Sequence, residues 1–578
     1  MPMGAAGVTA ERQGQVLVLR LASGPSNELD AEVRAALINA LSTLDCDRVV
    51  LAGSGATFSS AISLEPDRAV PSLADLCAAV ETAPVPVIAA LQGLVMGPGA
   101  ELAVAAHARV AAPGTRIAFP EVALGLCPEG GTSLRLPRLI GASAALDLLL
   151  SGRAVNAMAA QDMGLVDSLA ADPVAAAAMT PIRPVLPPRA AGETLTACAE
   201  ARRLRSSAQA AAERIIACVE AAALLPPEAH RAFEEVARED LELSPETRAL
   251  RSAVLAERRV ARLPPAVARL RPVAADAIAL HGSAPMLAGL ARRALASGMA
   301  VHWHHPSDAA RQASLAALDH AEAAEVRAGR LTPGDRDAQR ARLTEGSAEA
   351  SAAPVQIHAG PSTPRSLRSD TGQAHLVLGG AEGELGLALA PSLRTCELAV
   401  LAEEAPREIG LAVATLRRMG LSSILVGQRP ILGQRLMAAG ETALAQLARL
   451  GVSQRLLAEA LGDFGARVPM ELPEANAPMR AMPPREIVNR WLAAIANEGF
   501  RLLDRGVARR PSDVDCLLVA GYSFPRWQGG PMHQAEERGL MVLRHDLRLW
   551  SQEHPVWAPA PLIDRLIQDG LRISDLDG

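Results

Sequence analysis

Between Gln15 and Ala171 short apolar runs alternate with stretches of helical period, and no other feature restricts the fold of this chain so tightly. Residues 16–22 (VLVLRLA), 48–53 (RVVLAG) and 85–91 (VPVIAAL) read as buried strands, and 31–44 (AEVRAALINALSTL) as an amphipathic helix between the first two. Such alternation predicts an α/β layered domain. At 578 residues the chain is too long for one core, which predicts two to four domains. Residues 181–190 are proline-rich and mark a linker, and 193–262 read as helical with charged faces and an alanine-rich stripe. A strand at 276–282 (DAIALHG) opens a second α/β unit. Residues 345–375 are polar and turn-rich with no clear period and read as a surface loop. Beyond 405 helices dominate, apart from a strand at 422–427 (SSILVG) and a proline-rich break at 468–484.

Composition excludes several classes. The uncharged stretch Ala83–Ala100 carries three prolines and three glycines and runs into Glu101, so it reads as strand, loop and helix start rather than a membrane span. A net charge of −6 gives no reason to expect a nucleic-acid partner. Seven cysteines, none in a C-x-x-C pair, suit a reducing cytoplasm. The N-terminus lacks a secretory pattern and the ending ISDLDG is no peroxisomal address, so a cytoplasmic location is expected. All 57 basic residues are arginine, a compositional trait that removes any lysine Schiff base.

Two glutamates carry the chemistry. Glu101 follows Gly97-Pro98-Gly99-Ala100 at the end of an apolar strand; Glu121 follows Phe119-Pro120. Taken singly, Glu101 reads equally as a first-turn acid complementing a helix dipole, and Glu121 as a surface loop acid. Taken together, such a pair can move a water and a proton across a double bond. The run from Ile88 to Gly141 (IAALQGLVMGPGAELAVAAHARVAAPGTRIAFPEVALGLCPEGGTSLRLPRLIG) resembles the catalytic core of the crotonase (enoyl-CoA hydratase/isomerase) family. The resemblance implies a 2-enoyl-CoA thioester substrate, Glu101 and Glu121 holding the attacking water, Glu121 as proton donor to Cα, and no cofactor or metal. It also implies an oxyanion hole of two backbone N–H groups, from Ile62 in the segment 58–64 (FSSAISL) and from the position of Pro98. Proline has no N–H, so Gly97 or Gly99 is the expected substitute donor.

Residues 244–264 (SPETRALRSAVLAERRVARLP) and 484–531 (PREIVNRW through PRWQGGP) resemble the linker and the helical domain of multifunctional β-oxidation proteins, which fuse a crotonase to a 3-hydroxyacyl-CoA dehydrogenase. The resemblance spans nearly the whole chain and implies four parts. These are a crotonase-like ββα-spiral domain (1–180), a helical linker (181–272), a degenerate Rossmann-like domain (273–428) and an all-α C-terminal dehydrogenase-type domain (429–578). In the middle the family pattern fails. Of the three nucleotide-loop glycines only Gly282 survives, with Ala284 and Leu287 in place of the others, and His305 replaces the ribose-binding acid. Ala388 stands where the catalytic histidine belongs, with Glu397 matching its orienting glutamate and Gln434 an asparagine. Gly282 is thus a vestige, and neither NAD binding nor dehydrogenase activity is expected. The histidines of His302-Trp303-His304-His305 read as an exposed strand end rather than a metal site.

The favoured reading is an enoyl-CoA hydratase with an inactive dehydrogenase half. Double-bond isomerisation, a non-catalytic acyl-CoA-binding scaffold and, least favoured, a bifunctional NAD enzyme are the alternatives. An oligomer or a thiolase-type partner is left open.

Overall fold

The computed structural model describes residues 3–5, 7–64, 68–182, 190–204, 209–327, 330–346, 352–359, 373–379, 385–400, 406–427, 429–467, 472–473 and 478–578. The chain divides into two compact units, Met1–Arg251 and Ser252–Gly578. The division falls within the helix Pro245–Ala261, inside the segment read as linker, and most of the proline-rich 181–190 lies outside the described residues.

The first unit is built on a seven-stranded sheet. Its order is Met3–Ala5, Val8–Gln13, Val16–Leu21, Arg48–Gly53, Val87–Leu91, Ala108–Ala111 and Ser168–Leu169. The first three strands are antiparallel neighbours and the rest pair in parallel. The central strands are buried end to end, which is why they read as continuous apolar runs. Helix Ala31–Ser42 begins where Asp30 accepts from Val33 N, and Leu73–Glu81 begins with a Ser72/Asp75 capping box. A second, three-stranded sheet (Leu94–Met96, Arg116–Ala118, Val155–Asn156) stacks the turns that carry the two glutamates. Asn27, at φ +50°, donates its amide to the carbonyls of Ser54, Thr57 and Phe58 and so fixes the approach to Ile62.

The second unit holds an eight-stranded sheet ordered Leu343–Glu345, Ala300–His304, Ala277–His281, Val355–His358, Ala374–Leu378, Leu385–Leu389, Thr395–Ala399 and Ser422–Val426. Only the pair Leu385–Leu389 and Thr395–Ala399 is antiparallel. Numbered along the chain, the first six strands follow the doubly wound order 3-2-1-4-5-6. The strands Val355–His358 and Ala374–Leu378 correct the reading of 345–375 as a loop; Gln356, His358 and His375 break the apolar run that would have flagged them. Residues 347–351 and 360–372 of that segment lie outside the described residues.

The two faces of this sheet differ sharply. Ile278, Leu280, Val301, Trp303, Val355, Ile357, Ala374 and Leu376 alternate onto one face and form one core with the helices Pro285–Ala296 and Pro406–Arg418. The opposite face carries His302, His304, His281, Gln356, His358 and His375. His281 and His358 stack at 4.5 Å, and His358 Nε2 lies 3.2 Å from His375 Nδ1. Burial, then the neighbouring His281 and His375, pushes His358 down to about 4, and burial and His281 lower His375. Both rings are therefore held neutral in the fold but take up a proton near about 6.5 in the unfolded chain. Their stabilising contribution is full above that pH and is lost as the pH falls below it, for His358 as the pH falls toward 4. In melts followed by circular dichroism, the midpoint of the second unit should fall over this interval, and His358→Gln should flatten the fall.

Candidate active site

Helix Pro98–Ala105 starts from Gly97, which takes φ +53° and ψ −125° and sends its N–H to Ala118 O at 3.2 Å. Pro98 occupies the first helical position, where its missing N–H breaks no intrahelical bond. Glu101, the fourth residue of this helix, is buried at 1% exposure. Its carboxylate is gripped by the turn ahead of helix Thr132–Ile140. Oε2 accepts from Gly130 N at 2.8 Å, Thr132 Oγ1 at 2.8 Å and Glu129 N at 3.2 Å. A Cβ on Gly130 would lie 3.0 Å from that oxygen, so a larger residue there would have to displace the carboxylate slightly.

Glu121 opens the short 3-10 turn Glu121–Leu124, closed by Gly125 in the left-handed region, whose carbonyl accepts from Thr247 Oγ1 at 2.8 Å. Glu121 is 6% exposed, so it is no surface acid. Its Oε2 is buried with no hydrogen-bond partner among the described residues. A Cβ built on Gly97 would lie 3.3 Å from both Glu121 Oε1 and Ile62 Cγ1. Gly97 is thus the point where the segment carrying Ile62, the helix carrying Glu101 and the turn carrying Glu121 meet.

These groups line one cavity of about 460 Å³, shared by Ile62, Pro98, Glu101, Glu121, Glu129 and Arg238. Burial, followed by the charges of Glu121, Glu129 and Glu234, holds Glu101 well above the usual carboxylate range. Burial likewise pushes Glu121 up to about 7, against the pull of its own backbone N–H and of Arg238. Two carboxylates so placed titrate as a pair and retain a proton near neutrality.

The two sequence-read glutamates, Ile62 and Pro98 therefore line one cavity, while Gly99 packs against Ser59 and is not part of its lining. Of the two substitute donors, Gly97 is excluded because its N–H is engaged with Ala118 O. Gly99 remains, at a first-turn position whose N–H has no intrahelical acceptor. Sequence reasoning missed Glu129, Thr132, Glu234 and Arg238. The acid before Gly130-Gly131-Thr132 was a readable signal, since an N-terminal helix turn is a natural anion cradle. Glu234 and Arg238 come from the helix Pro227–Glu242 and carried no local signal.

In the second unit Gly282, at φ +114°, keeps the tight turn after the first strand; a Cβ there would lie 2.1 Å from Ala359 O. The residues around it do not fit a dinucleotide. The following helix begins on Pro285, which offers no N–H to a phosphate, and Trp303 Nε1 donates to Gly282 O at 3.0 Å. His305 brings no acid to a ribose; both its ring nitrogens are buried without a partner among the described residues. Ala388 sits directly across the strand pair from Glu397. The Glu397 carboxylate accepts from Leu432 N at 2.7 Å and Gly433 N at 2.8 Å, capping helix Leu432–Arg449, where Gln434 is exposed. His302 Nδ1 lies 2.6 Å from Thr344 Oγ1, and among the described residues no three His, Cys, Asp or Glu side chains group to hold a metal. No described helix is long and apolar enough to cross a membrane.

The fold and the glutamate-lined cavity of the first unit define a crotonase-type domain, and comparison with known proteins agrees. Residues 11–215 match the family model for enoyl-CoA hydratase/isomerase, and this part of the chain belongs to that family. Along its length the chain is similar to the peroxisomal bifunctional enzyme of Danio rerio, at 25% identity over 96% of each chain. It is 34% identical to the glyoxysomal fatty acid beta-oxidation multifunctional protein MFP-a of Brassica napus over 27% of this chain and 23% of that one. Against the fatty acid oxidation complex subunit alpha of Shewanella halifaxensis it is 49% identical over 15% of this chain and 13% of that one. Among solved structures, an enoyl-CoA hydratase from Mycobacterium avium subsp. paratuberculosis matches at 23% identity and TM-score 0.33, covering 44% of this chain and 96% of that one. The chain is a crotonase unit fused to a dehydrogenase-type region, the plan of the multifunctional fatty acid β-oxidation enzymes.

Gly97 offers the sharpest test of the site. Gly97→Ala sets a Cβ against Glu121 and Ile62 and forces an L-residue into a backbone region it rarely adopts, a strain of about 1–3 kcal/mol. Turnover should fall at least about tenfold, and the urea midpoint should fall with it.

Proposed function

We propose that the first unit hydrates 2-enoyl-CoA thioesters and that the second unit has no dehydrogenase activity. The observation that carries the first part is the pair of buried carboxylates, Glu101 and Glu121, facing one cavity with proton affinity raised in both. With the thioester carbonyl near the Ile62 amide and the 97–99 turn, water bound between the carboxylates attacks Cβ. The π electrons move toward the carbonyl oxygen, Glu121 delivers its proton to Cα, and the proton lost by the water passes to Glu101. One proton enters and one leaves the pair, so its charge is unchanged over the turnover.

Support for a silent second unit comes from Ala388, Pro285 and His305, which supply neither the base nor the phosphate and ribose contacts that a nicotinamide enzyme needs. No step is assigned to NAD, and the proposed reaction needs no cofactor. The proposed setting is a reducing compartment such as the cytoplasm, in keeping with seven free cysteines.

Double-bond isomerisation has one observation in its favour. Glu121 Oε2 has no hydrogen-bond partner among the described residues, whereas Glu101 is held by three donors, the arrangement of one mobile acid beside one fixed one. Loss of enoyl absorbance on short and medium 2-enoyl-CoA separates the readings. Hydration predicts that Glu121→Gln and Glu101→Gln each cut kcat by about 10²–10⁴. Isomerisation predicts that Glu101→Gln keeps most activity on a 3-enoyl-CoA. A wild-type protein that binds acyl-CoA without turning over either substrate overturns both.

Pro98→Gly makes a second, opposite prediction. It returns an amide donor at the helix start, and kcat should rise by up to about 10²-fold, measured in the same assay.

A further inference from the structure

The family match ends at residue 215, yet the catalytic cavity is walled by a helix beyond it, Pro227–Glu242. Three side chains of that helix, His230, Glu234 and Arg238, reach the segment 127–133 that holds Glu101. Glu234 accepts from Gly131 N at 2.7 Å and from Ser133 N and Oγ, capping helix Thr132–Ile140 from behind. His230 Nε2 lies 3.1 Å from both Ser133 Oγ and Cys218 O. Four residues from Glu234, Arg238 donates through Nη1 to Cys127 O at 2.7 Å and through Nε to Glu242 Oε1 at 3.3 Å, and its Nη2 faces Glu129 Oε1 at 3.6 Å. Cys127 and Glu129 belong to the segment whose amides at 129 and 130 bind the Glu101 carboxylate. Arg34, the other guanidinium on the cavity wall, is anchored to the main-chain carbonyls of Leu29 at 2.8 Å and Pro71 at 2.6 Å.

We propose that Arg238 and Glu129 form a positioning pair for the acid–base step: Arg238 pins the 127–129 loop beneath Glu101, and the opposite charges of the pair set how firmly Glu121 keeps its proton. The inference rests on the hydration reading and deepens it. The charged groups that line the cavity with Glu121 are Glu101, Glu129 and Arg238 together with Glu28, Asp30, Glu32 and Arg34; of these Arg238 and Glu129 bear on its proton. A nearby cation stabilises the carboxylate and a nearby anion stabilises the acid, each by about one pH unit or more in a water-poor cavity. The pair therefore balances two opposed fields on one proton.

The signs follow directly. Activity is lost at high pH when the shared proton leaves Glu121. Arg238→Met removes the cation, so the proton is held more tightly and the high-pH limb of the rate profile moves up by about one unit. Glu129→Gln removes the anion, and the limb moves down by a similar amount. Arg238→Lys keeps the charge but not the forked grip on Cys127 O and Glu129, so the limb stays near wild type while kcat falls about tenfold. A purely structural role lowers kcat in all three variants with no opposed movement of the limb.

The test is kcat against pH for wild type and these variants of the full chain, with folding checked by circular dichroism. In parallel, protein carrying ¹³C-labelled glutamate is titrated by NMR, with Glu121→Gln identifying the resonance. The titration reads the same shifts without turnover, so failure of the hydration reading is told apart from failure of this one. Opposed shifts in Arg238→Met and Glu129→Gln support the pair. Shifts in one direction, or none, overturn it. Where Arg238→Met does not fold, Glu129→Gln alone decides: a downward shift supports the pair and an unmoved limb overturns it.

Discussion

Two carboxylates buried against one cavity cannot both carry full charge, and much of the first unit is arranged around that constraint. Desolvation alone would make each a neutral acid; a hydration site needs one of them ionised. The structure divides the task by unequal hydrogen bonding. Glu101 takes two amides and a hydroxyl from the turn at 129–132, whereas Glu121 keeps one oxygen without a partner among the described residues. The first is fixed in place and the second is left available to transfer a proton. A side chain at Gly97 or Gly130 would crowd the space between carboxylate and backbone.

Much of this was legible in the sequence, for identifiable reasons. The strands at Val16, Arg48 and Val87 are buried on both faces, so their residues form unbroken apolar runs. Glu101 and Glu121 stood out because turn-forming glycine and proline precede them, which few surface acids share. Glu234 and Arg238 could not be found this way. They lie more than a hundred residues beyond Glu121 on a helix whose other charged residues are mostly solvated, and only folding brings them to the loop at 127–133. The substitute oxyanion donor was legible only in part. Gly97 and Gly99 look equivalent in sequence, and the hydrogen bond from Gly97 N to Ala118 O separates them.

The second unit reverses the relation between frame and site. Its strand order is that of a nucleotide-binding fold, while Pro285 and His305 stand where phosphate and ribose contacts would lie, and Ala388 faces Glu397 across the strand pair. Glu397, whose histidine partner is absent, is not left as a stranded buried charge. Two amides at the start of helix Leu432–Arg449 satisfy it, and burial raises it to about 7. A buried carboxylate that accepts two helix-start amides has a structural use of its own.

The histidine-bearing face of that sheet has a consequence for how the chain changes over time. These strands are held by the other face, where Ile278, Leu280, Trp303 and Ile357 pack against helices, while the C-terminal helices have a core of their own. Substitutions at the strand ends and on the polar face therefore leave that apolar core intact, while any change on the packed face leaves a cavity or an overfilled core. Loss of a cofactor cradle in such a sheet carries little folding penalty. The apolar face alone holds these strands to their helices, so the outline of such a domain persists whatever its strand ends carry and does not by itself say whether the domain reacts.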